Sequence, residues 1–281
     1  MQVYSVDTGN FKLDGGAMFG VVPKVIWNKL NQADENNLCS WAMRCMLVVD
    51  GDQRILIDTG LGNKQSEKFF SHYYLHGEGE LLKSLKQLGF AADDITDVIL
   101  THLHFDHCGG AVSCVNETLQ PTFPKATYWS TKNHWDWAMN PNSREKASFL
   151  KENFVPLQEY GQLKFIEENE TGLTKFNDKI DILFAHGHTQ SMMLPIIQYK
   201  NKTICYMADL IPSSAHVPLP YVMGYDMFPM TTLIEKEKFL NNACEKDYIL
   251  FYEHDPVAEC STIELTEKGF KRKDVFNLDA I

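Results

Sequence analysis

The stretch that decides the fold of this chain runs from residue 101 to residue 110 and reads Thr101-His102-Leu103-His104-Phe105-Asp106-His107-Cys108-Gly109-Gly110. It places three imidazoles and one carboxylate within six consecutive positions. Neutral imidazole nitrogen and carboxylate oxygen are the ligands that zinc and similar divalent cations take, whereas a structural zinc site usually recruits cysteine. A single histidine is more often a surface or core residue, but three at this spacing predict a metal site.

The sequence before this cluster predicts where it lies in the fold. A short apolar strand over Val98–Leu100 runs directly into His102, which puts the cluster on a loop at the edge of a sheet. The glycines at the end of the stretch let the backbone turn sharply. Further upstream, Cys45–Val49 and Arg54–Asp58 flank Asp50-Gly51, a combination that predicts a β-hairpin.

Other segments give a coarse order of strands and helices. Apolar runs predict strands at 126–129, 163–166, 180–184, 196–199, 203–207 and 248–252. Leucines from Leu81 to Leu88 follow a helical spacing that ends at Gly89. A second helix is predicted to open at Thr232, with Glu235 completing a capping box. Trp135–Pro141 has no clear period and is predicted to be a loop that could cap a site.

One short loop cannot complete the coordination of two ions, so the cluster predicts further ligands at other strand ends. Three candidates each follow an apolar strand: His188 in the string HGHT, Asp209 after Tyr206–Ala208, and His254 after Phe251–Glu253. The repetition of this pattern is itself evidence for a shared site.

Taken together, these motifs resemble the metallo-β-lactamase superfamily. The resemblance rests on HLHFDH, on HGHT, on the strand-ending Asp209, on the late His254 and on Asp58-Thr59-Gly60 at the end of the first hairpin, and it covers roughly residues 40 to 255. It implies an α/β fold, an αββα sandwich of two mixed sheets flanked by helices, with the metals at one edge of the sheets.

The resemblance also implies the roles of individual residues in a site for two divalent metal ions, which we expect to be zinc. His102, His104 and His188 would hold the first ion. Asp106, His107 and His254 would hold the second, and Asp209 would bridge both. Asp106 and Asp209 would also be the catalytic carboxylates, limiting the charge of the site and moving a proton to the leaving group. Asp58 and His186 would stand behind the ligands and orient them.

Within the superfamily, HLHFDHCGG, HGHT and Ala208–Pro212 are most similar to N-acyl-homoserine lactone lactonases and their methyl-parathion-hydrolase-like relatives. This similarity implies hydrolysis of a lactone or ester, and makes a quorum-quenching lactonase the leading hypothesis. Many such lactonases carry a tyrosine where this chain has Pro212, so the oxyanion needs another donor, with Tyr221, Tyr225 and His216 as candidates, or the metal alone. The alternatives are a thioester or persulfide enzyme similar to hydroxyacylglutathione hydrolases, and a phosphotriester hydrolase.

Large apolar side chains are concentrated between residues 18 and 41, outside the predicted strands. They could line a channel for an acyl chain together with residues from later segments. They could equally cover the sandwich or form a contact in a homodimer. The candidates for the substrate pocket are Met18, Phe19, Trp27, Phe105, Met139, His216 and Tyr221.

The whole-chain composition sets the remaining expectations. With 281 residues and 44% apolar composition, the chain is predicted to form a single domain over 1–281, with an N-terminal extension over about 1–40. The net charge of −11 disfavours nucleic acid as a partner and leaves a small-molecule substrate. Seven cysteines without a CxxC pair indicate a reducing compartment, and no run approaches the roughly 20 apolar residues of a membrane span. We therefore expect a cytoplasmic protein without a membrane partner.

Overall fold

Two sheets and the helices that cover them account for most of the chain, and the computed structural model describes residues 1–169 and 172–281. The strands are β1 (Gln2–Asp14), β2 (Leu38–Asp50), β3 (Gln53–Ile57), β4 (Asp97–Ile99), β5 (Val112–Val115), β6 (Thr118–Pro121), β7 (Thr127–Ser130), β8 (Leu163–Phe165), β9 (Leu173–Lys175), β10 (Ile180–Ala185), β11 (Met192–Tyr199), β12 (Lys202–Tyr206), β13 (Ile249–Phe251), β14 (Cys260–Thr266) and β15 (Gly269–Phe276). The helices are α1 (Gly15–Phe19), α2 (Lys24–Trp27), α3 (Glu67–Ser71), α4 (Leu81–Gln87), α5 (Phe105–Cys108), α6 (Lys132–Met139), α7 (Val155–Glu159) and α8 (Pro229–Glu245).

Both large sheets are mixed, as predicted. The first has the order β1-β2-β3-β4-β7-β8, with antiparallel pairs up to β3 and parallel pairs from β3 to β8. The second has the order β15-β14-β13-β12-β11-β10-β9, and its parallel pair is β12 with β13. The strands β5 and β6 form a separate hairpin. Helices cover both sheets, so the αββα sandwich is confirmed.

The first hairpin shows why its strands are apolar at almost every position. β2 and β3 pair from Met46 with Ile57 to Asp50 with Gln53, around the predicted Asp-Gly turn. Met46 and Val48 pack in the core between the two sheets, whereas Leu47 packs in the core beneath the helices of the first sheet. All three side chains are fully buried. A strand buried on both faces loses the polar alternation of a half-exposed strand.

The helix α6 corrects the prediction of a loop over Trp135–Pro141. The helix begins after Thr131, whose hydroxyl accepts a hydrogen bond from the amide of His134 at 3.0 Å, and it continues to Met139. Trp135 packs inward on the core of the first sheet. The signal for the helix was this N-cap threonine, which lies just upstream of the segment considered for a loop.

The start of α8 corrects a second prediction. The helix begins at Pro229, where the fixed φ of proline suits the first helical position, and not at a capping box formed by Thr232 and Glu235. The Glu235 carboxylate instead accepts hydrogen bonds from the amides of His186 and Gly187 at 2.8 and 3.0 Å. This glutamate therefore fixes the loop that leads to His188.

The N-terminal segment is part of the first sheet and its flank. Residues 2–14 form β1, which pairs with β2 along most of its length, so the predicted extension over about 1–40 contains an edge strand. The segment that follows packs Met18, Phe19 and Trp27 into a third apolar cluster with Trp41. All seven cysteines are free, and five of them are buried. None of the helices in the described ranges has the length and apolar character needed to cross a bilayer.

Candidate metal centre

Strand ends from both sheets meet at one edge of the sandwich. β4 ends at Ile99 ahead of the histidine-rich loop, and β10, β12 and β13 end shortly before His188, Asp209 and His254. The carboxyl ends of neighbouring parallel strands lie at the same edge of a sheet, where α/β folds build their sites. Ala208 adopts a positive φ of 41°, a conformation that an alanine rarely takes, directly before Asp209.

The first predicted ligand group is assembled in the structure. His104 Nδ1 lies 3.0 Å from His102 Nε2 and 3.2 Å from His188 Nε2. Asp209 Oδ2 is 3.1 Å from His188 Nε2 and 3.9 Å from His102 Nε2. All four side chains are buried or nearly so, and their ligand atoms are close enough to share one ion.

The second predicted group lies beside the first. His254 Nε2 is 3.2 Å from His107 Nε2 and 3.7 Å from Asp106 Oδ2. Asp209 joins the two groups, since its Oδ1 lies 3.2 Å from His254 Nε2 and its Oδ2 lies 3.6 Å from His107 Nε2. Asp209 therefore contacts both groups: its Oδ2 lies near rings of each group, and its Oδ1 lies near His254.

Hydrogen bonds on the outer side of each ring determine which nitrogens face inward. His107 Nδ1 is 3.1 Å from Asp58 Oδ2, His188 Nδ1 is 2.9 Å from Asp226 Oδ1, and His254 Nδ1 is 2.7 Å from the Ala42 carbonyl. A carboxylate or carbonyl can only accept, so each of these outer nitrogens carries the proton. The Nε2 atoms of these three rings then point lone pairs into the cluster.

This arrangement of lone pairs tests whether the residues fit metal ions. When both rings are neutral, His107 Nε2 and His254 Nε2 face each other at 3.2 Å with no proton between them, which is unfavourable unless a cation lies nearby. Asp209 Oδ1 is also a buried oxygen without a hydrogen-bond partner among the described residues. Both observations fit a centre that takes divalent cations.

The electrostatics of the cluster favour positive charge. Burial lowers the pKa of His254, but the adjacent Asp209 outweighs this effect and raises the pKa to about 9. Burial, together with the neighbouring imidazoles of His107 and His104, holds the pKa of His102 well below its usual value, so this ring is neutral and can act as a ligand. The carboxylates thus favour a positive charge among these rings.

Three carboxylates missed in the sequence lie directly behind the ligands. Glu145 Oε1 accepts from His104 Nε2 at 2.9 Å, and Asp226 holds His188. Glu253 Oε2 lies 3.0 Å from His107 Nδ1, and burial raises the pKa of Glu253 to about 8. Only the position of Glu253 next to His254 offered any signal in the sequence, since Glu145 and Asp226 are 41 and 38 residues from their partners.

Asp58 has the position behind a ligand that the sequence predicted. Besides His107, its carboxylate accepts from the Thr101 amide and hydroxyl, both at 2.7 Å. The Thr101 oxygen in turn lies 3.1 Å from His102 Nδ1. Asp58 therefore orients ligands of both groups, one directly and one through Thr101.

His186 does not have the predicted position behind a ligand. Its Nδ1 accepts from the Ser191 amide at 3.3 Å, its Nε2 lies 3.8 Å from Glu168, and 38% of its side chain is exposed. The chain turns between His186 and His188, so only the second histidine of HGHT reaches the cluster. The buried histidine that supports the cluster is His134, which accepts from the Leu103 amide at 2.8 Å.

A cavity of about 380 Å³ opens onto the cluster. Of the predicted pocket residues, Met18 and Phe105 line it, whereas the other five do not. Phe19 and Trp27 stack on each other inside the third apolar cluster, with ring centroids 5.2 Å apart, and Met139 packs against the core of the first sheet. Composition identified these side chains as apolar, but only packing determined which of them face the cavity.

The three side chains predicted as possible oxyanion donors also differ in whether they face the cavity. His216 is fully buried, with its ring nitrogens 2.8 Å from Ser213 Oγ and 2.9 Å from the Met18 carbonyl, so neither is free for a substrate. Tyr221 packs edge-on against Phe19, away from the cavity. Tyr225 does line the cavity.

Known proteins similar to this chain belong to a superfamily of metal-dependent hydrolases, which agrees with a metal centre at this edge of the sheets. A profile described as the metallo-beta-lactamase superfamily matches residues 44–254. An N-acyl homoserine lactonase of Bacillus thuringiensis is 24% identical over 232 residues, which cover 78% of this chain and 82% of the relative.

Solved structures are similar over nearly the whole chain. A probable metal-dependent hydrolase from Staphylococcus aureus superposes with a TM-score of 0.87 and 26% identity, covering 98% of this chain and 96% of that chain. The dizinc quorum-quenching lactonase AidC, in complex with a product, superposes with a TM-score of 0.80 and 24% identity, covering 98% and 95%. At 24% identity, the similarity to AidC shows a common fold.

Proposed function

The chain belongs to the metallo-beta-lactamase superfamily, and on this basis we propose that it hydrolyses a lactone or carboxylic ester with two bound zinc ions. Membership makes it a metal-dependent hydrolase. The observation that carries the finer proposal is the pair of ligand groups, three histidines on one side and two histidines with Asp106 on the other, joined by Asp209. A single-metal enzyme has no need of the second group.

The residues of the chain would hold the ions in fixed positions. His102, His104 and His188 would hold one, and Asp106, His107 and His254 the other, with Asp209 shared between them. Two such ions supply an activated water at neutral pH and polarise the oxygen of the scissile bond. No serine or cysteine nucleophile is required for this chemistry.

Asp106 and Asp209 would have a second role beside metal binding. Both line the cavity, so each can reach a substrate bound there. Asp209 is surrounded by the rings of His188, His107 and His254, and these outweigh the effect of burial and hold its pKa well below the usual value. A carboxylate held ionised in this way could bind the cations, and it would carry a proton only briefly between the attacking water and the leaving group.

The choice of a lactone or ester rests on the cavity and on the relatives. The cavity lies at the small end of the usual range for ligand sites, roughly 300–1,000 Å³, and several apolar side chains line it. N-acyl homoserine lactonases are among the similar proteins, and their substrates combine a small ring with an acyl chain. We propose N-acyl homoserine lactones as the first substrates to test.

The test combines metal analysis with a substrate panel. Purified protein loaded with zinc should contain about two ions per chain and should hydrolyse acyl lactones or simple esters. Chelation should remove the activity and zinc should restore it. Turnover of thioesters or phosphotriesters in preference to lactones and esters would contradict the substrate, and a metal content of one ion per chain with full activity would contradict the two-ion centre.

A further inference from the structure

The cavity beside the metal centre contains one cationic side chain apart from the histidines, and its position differs from that of the ligands. Arg144 lines the cavity but is exposed, whereas the ligand side chains are buried. The ligands thus form the floor of the cavity, and Arg144 lies at its mouth. Apolar side chains such as Leu13, Met18 and Phe105 also line the cavity.

The guanidinium is held in place by the opposite loop. Arg144 Nη2 donates to the carbonyl oxygens of Gly224 and Asp226, the latter at 3.5 Å. This contact connects the loop of Arg144 to the loop that contributes Tyr225 to the cavity. A guanidinium has five N–H groups, and these two contacts use only one nitrogen.

The charge of Arg144 is not neutralised by the nearest carboxylates. Glu145, its neighbour in the chain, is engaged by His104, Thr189 and Trp137. Asp226 is engaged by His188. Within the described ranges no carboxylate lies within 4 Å of the guanidinium, in a chain that has 37 acidic and only 26 basic residues.

From this arrangement we propose that Arg144 selects esters or lactones whose acyl chain carries an anionic group, a carboxylate in the simplest case, remote from the scissile bond. The scissile bond would lie at the floor of the cavity, the chain along its apolar side chains, and the anionic group against the free N–H groups of Arg144. A guanidinium and a carboxylate make a charge-assisted pair, often through two parallel hydrogen bonds. The inference rests on the proposed hydrolase function, since it assigns the substrate class of the same site.

The test uses matched pairs of substrates. Methyl monoesters of dicarboxylic acids, with four to eight carbons, are compared with methyl esters of monocarboxylic acids of the same length, by release of methanol from the zinc-loaded enzyme. For the best chain length we expect kcat/KM to be about tenfold higher for the anionic ester, mainly through KM, and the preference to shrink at high salt because the rim is exposed.

Variants assign the preference to one residue. Arg144→Gln should bring the ratio of the two kcat/KM values close to one, and Arg144→Lys should keep part of it because the charge is retained. Arg54→Gln is the matched control, since Arg54 lies on β3 and outside the cavity, and it should keep the ratio of the wild type.

A binding measurement separates this inference from the proposed function. Titration calorimetry of the zinc-loaded protein with each dicarboxylate and its matched monocarboxylate should show about tenfold tighter binding of the dicarboxylate, lost in Arg144→Gln. If this holds while no ester is hydrolysed, the proposed activity fails and the selective role of Arg144 stands. Equal binding and turnover of both members of every pair, or a preference that persists in Arg144→Gln, would overturn the inference.

Discussion

The buried side chain of Lys236 should make the stability of this fold rise with pH in the weakly alkaline range. Lys236 lies on α8 and is fully buried, and its amino group donates to the carbonyl oxygens of Pro218 and Tyr221 at 2.9 Å each. A third carbonyl, that of Leu219, lies at 3.4 Å. This lysine therefore holds the loop that runs on to Asp226 behind His188.

The pKa of Lys236 determines the sign of the effect. Burial lowers this pKa from 10.5 to about 7, and the distant charge of Asp226 offsets only part of the shift. Between these two values the unfolded chain binds the proton and the folded chain does not. The folded state is therefore favoured as the pH rises from about 7 toward 10.5, and disfavoured as the pH falls through this range.

The magnitude follows from the same values. Near pH 8 to 9 the unfolded state binds nearly one proton more than the folded state at this residue, so the free energy of unfolding should rise by about 1.3 kcal/mol per pH unit from Lys236 alone. Other groups also titrate here, and the substitution Lys236→Met isolates the contribution of Lys236. The difference in stability between the wild type and Lys236→Met should grow in favour of the wild type at this rate.

Urea denaturation of both proteins at pH 7.5, 8.5 and 9.5, at fixed zinc concentration, measures the difference. Lys238→Met on the same helix is the control, because Lys238 is exposed and its surroundings change little on unfolding, so its curve should stay parallel to that of the wild type. A difference between the wild type and Lys236→Met that stays constant from pH 7.5 to 9.5 would refute the reasoning. It would mean that the buried ammonium keeps its proton in the folded state.

Three further substitutions test the metal centre. Asp209→Ala should abolish hydrolysis and lower the zinc content, measured by elemental analysis, to one ion or none. Asp178→Ala, at an exposed position, is the control and should change neither quantity. Full activity in Asp209→Ala would rule out a bridging role. Glu145→Gln should weaken zinc binding by roughly 10 to 100-fold in a chelator competition, as expected when a carboxylate behind a ligand is lost, and unchanged affinity would show that Glu145 does not support the centre. His186→Ala should keep zinc content and kcat within about twofold of the wild type, because the ring points away from the cluster, and loss of an ion in this variant would contradict that placement.

Local patterns in the sequence identified the seven candidate ligands, and the family resemblance that these motifs carry implied the sandwich. Each ligand candidate follows a short apolar strand, and the turn at Asp50-Gly51 fixes the first hairpin. Such signals involve residues close together in the chain, and the structure brings the seven side chains into two adjacent groups. Their roles as ligands remain a proposal that the substitutions test.

Apart from Asp58, only the tertiary structure decided which side chains lie behind the predicted ligands and which face the cavity. Glu145 and Asp226 are ordinary acidic residues in the sequence, and they reach His104 and His188 only because separate loops fold over the same edge of the sheets. The sequence also did not show that Phe19 is buried in an apolar cluster, or that Arg144 lies at the mouth of the cavity. The type of a residue restricts its chemistry, but its neighbours depend on contacts between distant segments, which no local pattern contains.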